Sequence, residues 1–145
     1  MALTPIIMKC FEKLVRNRIT SYLPVGLDPY QFAYKAKRST EDAVAMALHA
    51  VLTPLEKQGN YGRLLFVDFS SAFNTILPHR LVPKLLDLGL PPCLCSWILE
   101  FLSNHSQWVR MGSHVSADLI MNTGTPQGCM LSPLLYMLYT ADCAP

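Results

Sequence analysis

The stretch Arg63–Ile76, RLLFVDFSSAFNTI, decides how this chain is interpreted because it places one aspartate inside an apolar run. Its first seven residues, Arg63–Phe69, are typical of a short, buried β-strand. An ionised carboxylate at Asp68 would be unfavourable in such a strand unless it were paired or bound to a metal ion. Two explanations of this aspartate are open. Asp68 can cap the following turn, or, beside the small residues Ser70–Ala72 and the flat ring of Phe73, it can bind a divalent cation that in turn binds a phosphate.

A second informative segment is Gly124–Pro133, GTPQGCMLSP, in which glycines and prolines enclose Gln127. A helix is predicted to begin at its end, at Ser132. Such a loop presents backbone N–H groups and a helix N-terminus to a phosphate or a base. A rigid strand-to-helix connection would also explain the glycines and prolines, but it gives no reason for the central glutamine.

Around these segments the chain is predicted to alternate helices with a few strands, which indicates an α+β fold class. Residues Gln107–Met121, with Gly112–Ser113 at their centre, are typical of a hairpin. Apolar spacing and capping residues predict helices from Thr4–Pro5 to about Pro24–Gly26, from Ser39 or Thr40 toward Pro54, from Pro78 to Leu88, through Trp97–Leu102, and from Ser132 to about Asp142.

The composition excludes several classes of protein. With 145 residues, 51% of them hydrophobic and 15% charged, the chain can form one domain and is too apolar to be disordered. Its 11 prolines and 7 glycines exclude a coiled coil. No apolar run approaches the roughly 18 residues that span a bilayer, and no signal peptide is recognisable. We therefore expect an intracellular protein, in the cytoplasm or nucleus, with no membrane association.

Charge and cysteine content add two weaker expectations. The net charge is +5 over residues 1–38 and −3 over residues 39–145. A basic N-terminal part suits a polyanion such as nucleic acid, although a solvated helix face explains it equally well. The five cysteines have neither zinc-like spacing nor an even number, so we expect reduced thiols and no structural zinc site.

The segments Phe66–Ile76 (FVDFSSAFNTI) and Gly124–Tyr136 (GTPQGCMLSPLLY) resemble motifs A and B of reverse transcriptases, specifically those of LINE-type, non-LTR retrotransposons. They are called motif A and motif B below. Gln31–Ala43 (QFAYKAKRSTEDA) resembles the fingers motif of these enzymes, and Ala2–Ile19 resembles the helix before it. The resemblance covers essentially the whole chain. It implies an incomplete fingers–palm of the right-hand polymerase fold, with helices packed on a small antiparallel sheet. Residues 1 to about 60 would resemble the fingers subdomain, and residues from about 61 to 145 would form the front part of the palm.

The same resemblance implies an RNA-directed DNA polymerase, which extends a DNA primer on an RNA template with dNTPs and two Mg²⁺ ions. Asp68 would be the catalytic carboxylate that binds both ions, with the Phe69 carbonyl as a further ligand. Phe73 would be the steric gate that excludes a ribose 2′-OH. Ala72 beside it would belong to the floor of the nucleotide site.

Further contacts are implied by the other matched segments. Gln127 and Gly128 would line the pocket for the incoming nucleotide and the template base. Lys35, Lys37 and Arg38 would contact the triphosphate or the template backbone, although a lysine at position 35 departs from the arginine typical of the family.

The third motif of the family, an aromatic-x-Asp-Asp or Ala-Asp-Asp hairpin, is absent from this sequence. Tyr139–Asp142 (YTAD) resembles it only superficially. Because a lone Asp68 cannot hold two Mg²⁺ ions, we expect the chain by itself to be inactive and to bind Mg²⁺ weakly. The alternative is a non-catalytic remnant that binds nucleic acid weakly through residues 9–38. No specific protein partner can be inferred.

Overall fold

The computed structural model describes residues 6–24, 27–126 and 128–143. Thr4, Pro5, Gly26 and Gln127, which entered the predictions above, lie outside these ranges. Within the described residues the chain combines α-helices with small antiparallel ladders, in agreement with the predicted α+β class. The helices are α1 (Ile6–Tyr22), α2 (Thr40–Leu55), α3 (Pro78–Asp87), α4 (Pro92–Leu102) and α5 (Ser132–Tyr139). The strands are β1 (His105–Gln107), β2 (Arg110–Met111), β3 (His114–Val115) and β4 (Leu119–Met121).

The chain divides into two compact units. The first consists of Met1–Leu27 and Ser71–Pro145, and the second of Asp28–Ser70. These boundaries differ from the division near residue 60 into a fingers-like part and a palm-like part, which remains a prediction. None of the helices in the described ranges is long and apolar enough to cross a membrane.

The observed helices follow the predicted ones except at their ends. α3 begins at Pro78 as predicted, and α2 begins directly after Ser39. The Ser39 hydroxyl accepts the Asp42 N–H while the Asp42 carboxylate accepts the Ser39 N–H, which is a capping box. The hydrogen bond from the Ser39 side chain lowers the pKa of Asp42 because it stabilises the ionised carboxylate. α5 ends at Tyr139, short of the predicted Asp142.

The predicted hairpin is confirmed and is longer than expected. β2 pairs with β3 around Gly112–Ser113, and β1 pairs with β4 further from the turn, both antiparallel. The pairing therefore reaches back to His105, which lies opposite Met121.

The core of the first unit is formed by helices packed on one another. α1, α3, α4 and α5 each contribute one apolar stripe, and the segments that connect them contribute the rest. The fully buried apolar side chains are Ile19, Ile76, Leu81, Leu85, Cys95, Ile98, Leu102, Leu131, Leu135 and Leu138. Among the described residues, none of the core members lies on a strand. The expected packing of helices on a sheet is therefore wrong for this core.

The segment Arg63–Phe69 differs most from its prediction, because it forms no strand and its side chains are exposed. Leu65 is 88% and Phe66 85% accessible to solvent. A strand requires hydrogen bonds to a neighbouring strand, and no other segment of the described chain pairs with this one. Asp68 is consequently exposed, so its carboxylate does not incur the cost of burial that the sequence suggested.

Lys84 ties α3 to the C-terminal end of α5. Its ammonium group donates hydrogen bonds to the Tyr139 carbonyl, at 2.6 Å, and to the Asp142 carboxylate, and it lies 5.0 Å from the centre of the Tyr139 ring. A cation is favourable there because the last carbonyls of a helix carry partial negative charge. The hydrogen bond from Lys84 lowers the pKa of Asp142. Asp142 therefore has Lys84 as its partner.

Lys84→Met should destabilise the chain, because methionine keeps most of the apolar stem and removes the donor. Loss of the bond to the Tyr139 carbonyl alone predicts a decrease of about 1 kcal/mol in the free energy of unfolding, measured by urea denaturation at pH 7. Lys57→Met, at an exposed lysine just after α2, is the control and should change little.

The same pair predicts a pH dependence. Because the folded-state pKa of Asp142 is lowered, its contribution is present above the ordinary aspartate value of about 4 and is lost as the pH falls through the folded-state pKa. The difference between wild type and Lys84→Met should shrink in acid. A difference that stayed constant down to pH 2 would contradict the role given to Asp142.

Candidate active site

The end of motif A forms a tight turn in the first unit. Ser71 has a left-handed backbone conformation with φ of 57°, and a 3₁₀ turn follows from Ala72 to Thr75. The Asn74 N–H donates to the Ser71 carbonyl at 2.8 Å, and the Thr75 hydroxyl donates to the Ala72 carbonyl at 2.7 Å. These local bonds define the direction in which Phe73 leaves the backbone.

The ring of Phe73 is half-buried and has a defined aromatic neighbour. It meets the ring of Tyr136, on α5, edge to face with 5.4 Å between the ring centres. Such aromatic pairs add stabilisation beyond the area that they bury. The ring predicted to be the steric gate therefore packs against Tyr136, a residue of motif B.

The start of motif B is hydrogen-bonded to the end of motif A through the backbone. The Gly124 N–H donates to the Ile76 carbonyl at 2.7 Å, and the Thr125 N–H donates to the Phe73 carbonyl at 3.0 Å. Gly124 has a φ of 79°, and a Cβ atom on it would lie 2.7 Å from the Cα of Asn74. The two motifs can approach this closely only because residue 124 has no side chain.

The motif B loop then turns between Pro126 and Cys129. The Cys129 N–H donates to the Pro126 carbonyl at 3.2 Å, and the Ser132 hydroxyl donates to the same carbonyl at 3.4 Å. Gly128 is exposed and has a φ of 82°, which favours glycine. Gln127, the predicted pocket residue of this turn, lies outside the described residues.

Glu12 on α1 contacts this loop and was not predicted to do so. Its side chain is buried, with 1% exposed, and its Oε2 accepts the Met130 N–H at 2.6 Å. A signal was present in the sequence, because Glu12 is the one acidic residue of α1 and shares a helical face with Val15 and Ile19. Charge counting alone did not reveal it.

The thiol of Cys129 lies in the same buried region. Burial raises its pKa, and the nearby Glu12 carboxylate raises it further, whereas the Leu131 N–H that it accepts at 3.3 Å acts in the opposite direction. A thiol with a raised pKa is protonated and unreactive at neutral pH. Cys129 therefore has the environment of a structural cysteine.

Asp68 and Phe69 belong to the second compact unit, and both are exposed on a segment without regular secondary structure. Within the described ranges, no group of three His, Cys, Asp or Glu side chains could hold a metal ion. One exposed carboxylate does not make a magnesium site by itself.

The three predicted cationic contacts also lie in the second unit, but their environments differ. The Lys35 ammonium donates to the Asp28 carbonyl at 2.9 Å. Lys37 is exposed and has a left-handed φ of 61°. The Arg38 guanidinium is exposed and lies 5.1 Å from the centre of the Phe32 ring. Lys35 is therefore engaged with the backbone, whereas Lys37 and Arg38 face solvent.

Gly124→Ala should separate the two motifs. Its Cβ would collide with the Asn74 backbone, so we expect a loss of about 1–3 kcal/mol in unfolding free energy, measured by thermal and urea denaturation. The control is Gly112→Ala, because Gly112 also has a positive φ, 63°, but open space around it. Equal losses in the two variants would show that φ alone matters and that the close approach does not.

A family model described as "Reverse transcriptase (RNA-dependent DNA polymerase)" matches residues 1–144. The chain is 32% identical over 143 residues to the probable RNA-directed DNA polymerase from transposon X-element of Drosophila melanogaster, covering 97% of this chain and 16% of that protein. It is 29% identical over 143 residues to the RNA-directed DNA polymerase from mobile element jockey of Drosophila funebris, covering 97% of this chain and 15% of that protein.

The chain thus spans about a sixth of the length of these relatives. No solved structure matches it. The match over nearly the whole chain agrees with the resemblance carried by motifs A and B, and both relatives come from mobile elements, as that resemblance implied. The chain belongs to the reverse transcriptase family of RNA-dependent DNA polymerases.

Proposed function

We propose that this chain is the part of a LINE-type, non-LTR retrotransposon polymerase in which motifs A and B together form the pocket for the incoming dNTP. The observation that supports this proposal is the pair of backbone hydrogen bonds from Gly124 and Thr125 to Ile76 and Phe73. A polymerase gains rate by holding its reactants in one orientation, which requires rigid surfaces. Two motifs joined through their backbones provide such a surface.

Phe73 is the proposed steric gate. Its ring is supported by Tyr136, and its backbone carbonyl is held by Thr125, so neither the ring nor the turn can move aside without breaking these contacts. A ring that is held in place in this way cannot shift to make room for an additional oxygen atom. Phe73 would therefore exclude a ribose 2′-OH and select deoxynucleotides.

Gly128, Gln127 and Ala72 are the proposed neighbours of the nucleotide. Gly128 is exposed and lacks a side chain, so a base or sugar can lie close to the loop backbone. Ala72 is small, half-buried and adjacent to the gate. Gln127 is assigned from the motif alone, as the side chain that would lie against the nucleotide and the template base.

Asp68 is proposed as the family's metal-binding carboxylate, with the Phe69 carbonyl as a second oxygen ligand for Mg²⁺. Bound Mg²⁺ would neutralise the charge of the transferred phosphate. The described residues do not complete such a site, because they place no further acidic side chains in a group with Asp68. We therefore propose that the chain alone is inactive and that its substrates, an RNA template, a DNA primer and dNTPs, are those of the larger polymerase.

The alternative function, weak binding of nucleic acid without catalysis, is favoured by one observation. The four basic side chains of α1 are all exposed, namely Lys9, Lys13, Arg16 and Arg18, while the single acidic residue of that helix is buried. The helix therefore presents only positive charge to solvent, which suits a phosphate backbone.

Phe73→Val should reduce discrimination against ribonucleotides. The assay replaces the matching segment of the jockey polymerase with this chain and measures kcat/KM for dNTP and rNTP on a primed RNA template. We expect the preference for dNTP to fall roughly 10- to 200-fold, because a smaller side chain makes room for the 2′-OH. Phe11→Val, which removes a ring that contacts Trp97 instead, is the control. Unchanged discrimination in an active Phe73→Val chimera would exclude the gate.

The 145-residue chain by itself should incorporate no dNTP on a primed RNA template with Mg²⁺ present. Incorporation that disappears in Asp68→Asn would contradict the proposed inactivity and would show a complete active site. Binding of the RNA without incorporation, with an affinity that falls steeply as salt is raised, would support the alternative function.

A further inference from the structure

Glu12 is a buried carboxylate that none of the roles proposed above uses. It lies on the apolar face of α1, with only 1% of its surface exposed. Its Oε2 accepts the Met130 N–H at 2.6 Å, across 118 positions of sequence. This hydrogen bond therefore joins α1 directly to the motif B loop.

A buried carboxyl group in this position destabilises the folded chain unless a hydrogen bond or a charge compensates for its lost contact with water. Burying a polar group costs free energy unless it is hydrogen-bonded, whereas burying an apolar side chain of the same size is favourable. Within the described residues, the ion pair that the structure contains joins Lys84 to Asp142, and no cation pairs with Glu12. The backbone N–H of Met130 is thus the hydrogen-bond partner that compensates for the burial of this carboxyl group.

The position of this bond explains what the carboxylate does. α5 begins at Ser132, and its N-cap residue, Leu131, makes no side-chain hydrogen bond to the helix. The end of a helix normally takes an acceptor and a negative charge from its own N-cap. Glu12, on the different helix α1, accepts the N–H of Met130, the residue that precedes this N-cap. Its carboxylate therefore does not cap α5; it holds the backbone of the motif B loop immediately before α5 begins.

We propose that Glu12 is the positioning residue of the motif B loop. The loop is then held at both ends, at Thr125 by the Phe73 carbonyl and at Met130 by the Glu12 carboxylate. Between these points lies the exposed Gly128, which is free to contact a ligand. The claim that Glu12 holds the loop does not depend on which reaction the protein catalyses. The expected effect of Glu12 on the affinity for dNTP rests on the function proposed above.

The first test is amide hydrogen exchange of the 145-residue chain, followed residue by residue. Glu12→Leu removes the acceptor and fills the space, so we expect exchange at Met130 to accelerate roughly 10-fold or more relative to the core amides of α3 and α4. Glu12→Gln keeps an acceptor oxygen and should restore much of the protection. Glu100→Leu, at an exposed glutamate of α4, is the matched control and should leave Met130 unchanged.

Two outcomes of this test would overturn the proposal. One is exchange at Met130 that rises only in parallel with every core amide, which indicates general loss of stability. The other is rapid exchange at Met130 in the wild-type chain, which would show that the bond does not hold the loop. Exchange at Met130 in the wild-type chain needs no variant, so it tests the role of Glu12 even if Glu12→Leu fails to fold.

The second test uses the chimeric jockey polymerase and separates the two proposals. Glu12→Leu should raise KM for dNTP by roughly 10- to 100-fold while the affinity for primer–template stays unchanged, and Glu12→Gln should partly reverse the effect. An unchanged KM with accelerated exchange at Met130 would overturn the link between this loop and the nucleotide. If the wild-type chimera used no dNTP, the proposed function would fail, and the exchange data would still judge the role of Glu12.

Discussion

The backbone contact between motif A and motif B is the constraint on which the first unit depends. Two hydrogen bonds join Gly124 and Thr125 to Ile76 and Phe73, and the approach is so close that a Cβ atom on Gly124 would touch the Asn74 backbone. Residues separated by about fifty positions are thereby held in one arrangement. The direction of the Phe73 ring and the course of the loop after Gly124 both follow from this contact.

The helical core gives this contact a rigid foundation. α3, α4 and α5 bury leucine and isoleucine side chains against one another, and α1 adds Val15 and Ile19. Tyr136, on α5, supports the ring of Phe73, while Glu12, on α1, holds the backbone of Met130. α1 and α5 therefore contribute packing and also one contact each to the motif segments. Lys84 has a similar function at the other end of α5.

The second unit has a different character. α2 has no buried residue, and the apolar side chains of Arg63–Phe69 are exposed. Part of the high hydrophobic content of the chain, 51% of its residues, therefore lies exposed in this unit. Asp68 lies in the same segment, so the residue with the most important predicted chemical role belongs to the part with the least burial. Its role as a metal ligand remains a proposal based on the motif.

The sequence by itself determined the family, the α+β class, most helix positions and the hairpin, because capping residues, apolar spacing and short motifs are local signals. The start of α2 directly after Ser39 and the turn at Gly112–Ser113 are examples, and both appear where they were predicted. The apolar run before Ser70 was misleading, because burial of a strand depends on a partner that a local pattern cannot supply.

Only the tertiary structure revealed the long-range contacts. Glu12 with Met130 and Lys84 with Tyr139 join residues 118 and 55 positions apart, and no periodicity connects such pairs. The close approach at Gly124 was equally invisible, because a glycine in a sequence does not show which backbone lies beside it. These contacts arise from the way that the helices pack, and packing is a property of the whole chain rather than of any segment.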